Sequence, residues 1–179
     1  IKNARGLVCM PIIRERLEQL KIPPMVEHKE VNRCMFTISV DYKSGTTTGI
    51  SPADRAATIK ALIDNKTKTE DFAMPGHLFP LRYKEGGVLV REGHTEASVD
   101  LAKLAGLYPA AVICEIINDD GSMAKLPDLI EFSKNHNGMK IVTIKDLVGH
   151  IKSAQIKPGV NSVDNQKIGK AEERSFVYG

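Results

Sequence analysis

Residues 34–63 constrain the fold more than any other stretch. Cys34 to Tyr42 (CMFTISVDY) alternate, with Phe36, Ile38 and Val40 on one face and Thr37 and Ser39 on the other. That is the pattern of a strand with two different faces. A run of threonines, Thr46 to Thr48, lies between Gly45 and Gly49 and breaks it. Ser51, Pro52 and Asp54 then mark a helix start, as N-cap, first helical residue and acidic third residue. This helix should run to about Ile63. A strand feeding a capped helix needs a sheet to pair with and a sheet face to cover, so helices packed on a sheet are required.

The rest of the chain repeats the alternation. Gly6 to Pro11 (GLVCMP) reads as a short buried strand ended by Pro11, which then opens a helix carrying Ile13, Leu17 and Leu20 on one side. Pro23 and Pro24 stop it. From Pro75, PGHLFPLRYKEGGVLVREGHT reads as a strand, a Gly86-Gly87 turn and a second strand. A helix follows from Thr95 to a stop at Gly106. Pro109 to Ile117 (PAAVICEII) reads as a strand, Leu126 to Gly138 as a helix, Lys140 to Ile144 as a strand and Lys145 to Ile151 as a last helical segment. Hairpin signals among alternating strands and helices predict an α+β fold: a mixed β-sheet with helices packed on it, three-layer-like, in a single domain. From Lys152 the sequence is polar, without sustained period, so 152–179 are expected to be a tail or linker.

Several function classes are disfavoured. The formal charge is only +3, with Lys and Arg scattered, whereas a nucleic-acid footprint needs clustered basic residues. No apolar stretch reaches the roughly 18 residues of a membrane span, and nothing resembles a signal peptide. The chain is expected to be cytoplasmic. It opens on Ile1 and runs directly into an apolar segment, so it reads as starting inside a longer protein. Cys9, Cys34 and Cys114 are an odd set of 3 without a C-x-x-C pair, which argues for buried thiols over disulfides. The spacing does not suit a zinc finger, and no P-loop, G-x-G-x-x-G, H-E-x-x-H or G-x-S-x-G pattern occurs.

Four places could carry chemistry. Glu115 stands inside the apolar run VICEII, where desolvation would raise its pKa towards a range useful for proton transfer. A structural ion pair with Arg or Lys is the alternative, and the commoner fate of a buried charge. REGHTE (Arg91 to Glu96) joins a strand to a helix start. Free N–H groups there, Arg91 and the Thr95 hydroxyl could bind an anion, and His94 could ligate a metal or shuttle a proton. An ordinary turn is the alternative. His77 follows a Pro-Gly turn and is either a catalyst or a structural residue. The Thr46 to Thr48 loop is either a cradle for a polyol or phosphate, or simply a turn. His28, His136 and His150 carry no assigned role.

ARGLVCMPI, FTISVDYKSGTTTGISPADRAATI, DFAMPGHLFPLRYKEGGVLVREGHTEASVDLAKLAGL, PAAVICEIINDDGSMAKLPDLIEF and IVTIKDLVGHI occur in order from Ala4 to about Ile151. Together they resemble the 3,4-dihydroxy-2-butanone 4-phosphate synthases of riboflavin biosynthesis. The resemblance implies a lyase that converts D-ribulose 5-phosphate to 3,4-dihydroxy-2-butanone 4-phosphate and formate, with Mg²⁺ or Mn²⁺. It implies catalytic roles for His77 and Glu115, metal binding by His94, and substrate binding by Arg91, Glu92, Gly93, His94, Thr95, Glu115 and Cys9. It also implies a homodimer whose partner molecule is a small sugar phosphate, without nucleic acid or membrane. The family's acidic N-terminal loop, rich in Asp, Glu and Asn, has no counterpart here. The expectation is therefore a synthase-like domain over 1–151, N-terminally incomplete. A relative that binds sugar phosphate or a partner without turnover is the alternative.

Overall fold

The computed structural model describes residues 1–26, 34–156 and 176–178. Its centre is β4, Phe72–Arg82. On one side β4 pairs in parallel with β1, Cys9–Ile12, with Cys9 opposite Phe79 and Ile12 opposite Arg82. On the other side it pairs antiparallel with β2, Met35–Phe36, and with β3, Val40–Tyr42. The sheet is thus mixed, as the sequence predicts. β5, Lys140–Val142, pairs in parallel with β6, Phe176–Tyr178.

Helices α1 (Arg14–Gln19) and α2 (Pro52–Ile63) share one hydrophobic cluster with the sheet. Met10, Ile12, Leu20, Val40, Leu62 and Leu78 are all at or below 1% exposed there, and truncating such a residue to Ala costs about 2–5 kcal/mol. Helices α3 (His94–Leu104) and α5 (Ile144–Ile156) share a second cluster around Val88, Ala97, Leu147 and Val148. Helix α4 (Leu126–Asn135) precedes β5.

Polar groups tie the layers together. Arg16 of α1 is buried, yet Nε donates to Leu62 O at 2.7 Å and Nη2 to Asp64 O at 2.6 Å, so a cation meets the last carbonyls of α2. The α2 start is as expected: Asp54 N–H donates to Ser51 Oγ at 3.0 Å and Pro52 opens the helix.

Four elements depart from expectation. Pro11 lies in β1 and the helix begins at Arg14; the Pro11 carbonyl accepts Ala111 N–H at 2.9 Å, and the return bond that Cys9 makes to Ile113 is missing here because proline has no N–H. The strand expected over 34–42 is split into β2 and β3. Thr37 and Ser39 are buried between them because β4 backbone satisfies them: Thr37 Oγ1 donates to Pro80 O at 2.9 Å and Ser39 Oγ accepts Gly76 N–H at 3.2 Å. No second strand follows Gly86-Gly87; both glycines have positive φ, and the chain winds into a 3₁₀ turn, Gly87–Leu89. Residues 110–116 run antiparallel beside β1 through single bridges only, Ile12 with Ala110, Cys9 with Ile113 and Arg5 with Ile116.

At the C-terminal end α5 continues to Ile156, past the expected boundary at 151. Of the polar segment beyond it, Phe176–Tyr178 are paired with β5, and 157–175 and Gly179 lie outside the described residues, as does His28.

Candidate active site

β1 runs between β4 and the 110–116 segment. Cys9 is level with Phe79 on one side and with Ile113 on the other. The paired register with β4 begins at Cys9, and the 110–116 ladder shifts before Arg5–Ile116, so that Gly6 and Leu7 together face Glu115. β4, which carries His77, and the segment that carries Glu115 lie on opposite sides of β1, each about 4.8 Å from it where they pair. Leu7, His77 and Glu115 are all exposed.

Glu115 is therefore not the desolvated carboxylate that its apolar neighbours suggest; it is exposed. The ladder register changes by one residue between the Cys9–Ile113 and Arg5–Ile116 bridges. At that irregularity Leu7 N–H donates to Glu115 Oε2 at 2.8 Å, while Gly6 N–H donates to Glu115 O at 3.1 Å. Gly6 leaves the room: a Cβ there would come within 2.5 Å of Glu115 Oε2. The carboxylate is held by backbone at one oxygen, in an open position.

His77 is gripped by Asp41. Nδ1 lies 2.6 Å from Asp41 Oδ2, and the His77 backbone N–H donates to Oδ1 at 2.8 Å. Asp41 in turn abuts Gly49, whose φ is +88 and whose absent Cβ would overlap the Asp41 carboxylate. The Gly-Thr loop is fixed from α2: buried Asp54 accepts Thr47 Oγ1–H at 2.8 Å and Gly49 N–H at 3.0 Å. These bonds, the Thr47 hydroxyl first, hold the Asp54 carboxyl below the usual carboxylate range. The threonine loop thus supports the Asp41–His77 pair.

The turn before α3 is built on two buried carboxylates one helical turn apart. Asp100 accepts Tyr83 O–H at 2.8 Å and Val88 N–H at 2.8 Å, which pins the Gly86-Gly87 turn. Burial, then the bond to Asp100, push the Tyr83 phenol up. Glu96, only 1% exposed, lies 2.5 Å from Arg91 Nη1. His94 opens α3 and is exposed, as is Glu92; Thr95 is buried, with Oγ1 3.3 Å from Cys34 Sγ. Gly93 is the α3 N-cap.

Cys9 is buried, and its thiol is pushed up to about 12, by burial first, then by the charges of Glu115, Cys34 and Cys114. Cys9 therefore lies within electrostatic reach of Glu115 and Cys34, and Cys34 touches Thr95. Among the expected site residues, Cys9, Glu115 and Thr95 form one neighbourhood, and His77 stands on β4 two residues before the Phe79 that pairs with Cys9. Sequence reading misses Asp41 and Glu96. The signals were a carboxylate at the strand end before the Gly-Thr loop and the spacing Arg91-x-Gly93-x-x-Glu96.

No group of three or more His, Cys, Asp or Glu among the described residues could hold a metal ion. His94 supplies a single imidazole, while Mg²⁺ takes about six oxygen-type ligands. A divalent ion at this site needs donors beyond the described residues, such as substrate oxygens or water.

The chain matches a family model described as 3,4-dihydroxy-2-butanone 4-phosphate synthase over residues 1–150. It is 60% identical over 150 residues to the riboflavin biosynthesis protein RibBA of Endomicrobium trichonymphae, covering 83% of this chain and 37% of that relative. It is 54% identical over 158 residues to the 3,4-dihydroxy-2-butanone 4-phosphate synthase of Agrobacterium fabrum, covering 88% of this chain and 74% of that one. Among solved structures, the Candida albicans synthase matches with a TM-score of 0.78 at 47% identity, covering 84% of this chain and 74% of the other. A synthase solved in complex with two magnesium ions matches with a TM-score of 0.80 at 38% identity, covering 86% and 77%. The chain thus spans little more than a third of the RibBA relative.

Proposed function

This chain belongs to the 3,4-dihydroxy-2-butanone 4-phosphate synthase family, and from that premise we propose that it converts D-ribulose 5-phosphate to 3,4-dihydroxy-2-butanone 4-phosphate and formate in riboflavin biosynthesis. The five-carbon sugar phosphate divides into a four-carbon ketone phosphate and formate, and no further reactant is needed to balance atoms. The observation that carries the reading is the exposed His77 imidazole held at Nδ1 by Asp41, on the strand that pairs with Cys9, with the exposed Glu115 carboxylate anchored on the other side of β1 by Leu7 N–H.

In this reading Asp41 keeps the proton on His77 Nδ1, which leaves Nε2 as the base that takes a proton from the sugar during enolisation. Glu115, anchored at Oε2 by Leu7 N–H, moves protons between the sugar oxygens through its other oxygen. Arg91 and the N–H groups at the α3 start, with Thr95, hold the phosphate. Cys9, a neutral thiol at neutral pH, lines the floor beside Glu115 without acting as a nucleophile.

A divalent ion, Mg²⁺ or Mn²⁺, belongs to the same proposal, with His94 as one ligand; it would stabilise negative charge on neighbouring sugar oxygens. The support is the magnesium-bound relative. Location in the cytoplasm and assembly as a homodimer are also part of the proposal. Among the described residues no helix is long and apolar enough to cross a membrane.

The test is formate release from D-ribulose 5-phosphate with Mg²⁺, with EDTA as the control. Metal-dependent formate is the expected result. Ligand-induced stabilisation of a folded sample without formate would replace the lyase by a sugar-phosphate-binding relative.

A further inference from the structure

Glu96 is the most buried charged side chain of the described residues near the candidate site, at 1% exposed. A glutamate is rarely so buried unless both oxygens are used. Here Oε1 accepts Lys84 N–H at 3.3 Å, and Oε2 meets Arg91 Nη1 at 2.5 Å. The carboxylate is thereby fixed to backbone at one end and to a guanidinium at the other.

Gly93 makes room for this pair. A Cβ at Gly93 would overlap Arg91 Nη1 and lie 2.7 Å from Glu96 Oε2. Its backbone, at φ −119 and ψ 156, is extended and open to any residue. The glycine therefore serves the guanidinium, which crosses over the Cα at the start of α3, and not the backbone. Arg91 keeps its side chain 18% exposed in this position.

We propose that Glu96 is a positioning residue: it fixes the plane of the Arg91 guanidinium over Gly93 so that the arginine meets the substrate phosphate at the α3 N-terminus. The inference rests on the sugar-phosphate reading of the same turn. A guanidinium has five N–H donors in a rigid fork, and one edge held by a carboxylate sets the direction of the rest. Glu96 touches no substrate in this scheme; its effect passes through Arg91.

The experiment uses the full chain and two probes, inorganic phosphate and D-ribulose 5-phosphate, with affinities measured by calorimetry. Variants are Glu96→Gln, Arg91→Lys, the double variant and Gly93→Ala. Glu96→Gln is expected to weaken both probes about tenfold, the size of one charge-assisted hydrogen bond. In the Arg91→Lys background it should add no further loss, because both changes remove the same interaction. The Arg91 guanidinium N–H resonances should shift in Glu96→Gln, because Nη1 loses its carboxylate partner. Where formate is released, KM should rise while kcat holds.

Additive losses in the double variant, or unchanged phosphate affinity in Glu96→Gln, would overturn the positioning role alone. A parent chain that binds neither probe would overturn the sugar-phosphate reading and this inference with it. If Glu96→Gln fails to fold, Gly93→Ala carries the test. It displaces the guanidinium without backbone strain and should weaken phosphate binding likewise; parent-like binding by Gly93→Ala would overturn the proposal.

Discussion

Asp41 holds His77 twice, through Oδ2 at 2.6 Å from the ring Nδ1 and through Oδ1, which accepts the His77 backbone N–H at 2.8 Å. One carboxylate thus fixes both the position and the tautomer of the ring. Asp41→Asn keeps an oxygen for the backbone N–H but loses the anion behind the ring. Formate release is expected to fall about 10- to 100-fold with the fold retained by circular dichroism. Combined with His77→Gln, the change should add nothing, since both act through one group. Full activity in Asp41→Asn would remove Asp41 from the mechanism.

Gly49 offers an independent approach to the same pair. Ala at this position meets two obstacles, a φ of +88 and the Asp41 carboxylate in the space of the new Cβ. Gly106, at φ +69 with nothing within 4 Å of its Cβ direction, shares only the first. Both Ala variants should lose about 1 kcal/mol or more in urea unfolding from left-handed strain. Only Gly49→Ala should also lose formate release. Equal activity in the two variants would disconnect the loop from His77.

The mixed sheet was legible in the sequence because strand alternation and the Ser51-Pro52-Asp54 helix start are local signals. The departures came from long-range satisfaction. Thr37 and Ser39 look like a solvent face until the carbonyl of Pro80 and the N–H of Gly76 are opposite them. Gly86-Gly87 looks like a hairpin turn until Asp100, far along the chain, takes Val88 N–H. Glu115 looks buried because its neighbours are apolar, yet it is exposed at a one-residue register change beside β1, where Leu7 N–H meets its carboxylate. Asp41 and Glu96 were missed for the same reason: their roles exist only once His77 and Arg91 are folded against them.

Glu115 should be separable from stability. It is exposed, and Gln can still accept Leu7 N–H at the same place, so Glu115→Gln should unfold like the parent. Its proton-transfer capacity is gone, and formate release should drop about 10²- to 10⁴-fold. A urea midpoint that falls together with activity would recast Glu115 as a structural clasp for the 110–116 segment.

Cys9 gives an alkaline test of the site's floor. In the folded chain its thiol keeps its proton up to about 12, against an ordinary 9.0, because burial and the neighbouring charges of Glu115, Cys34 and Cys114 oppose the thiolate. Once unfolded, the thiol ionises from about pH 9. Between these values the unfolded chain binds fewer protons than the folded one, so stability is fully present below pH 9 and declines as pH rises towards 12. Other groups titrate in the same window, the raised Tyr83 among them, so the measurement is the difference between the parent and Cys9→Ala. Urea midpoints should fall more steeply in the parent from pH 9 upward, and the two curves should run parallel below it. Iodoacetamide should label Cys9 in the native chain far more slowly than after unfolding, since only the thiolate reacts. Parallel curves across the whole range, with rapid native labelling, would mean that the thiol is open to solvent and that the floor between Glu115 and Cys34 is not closed.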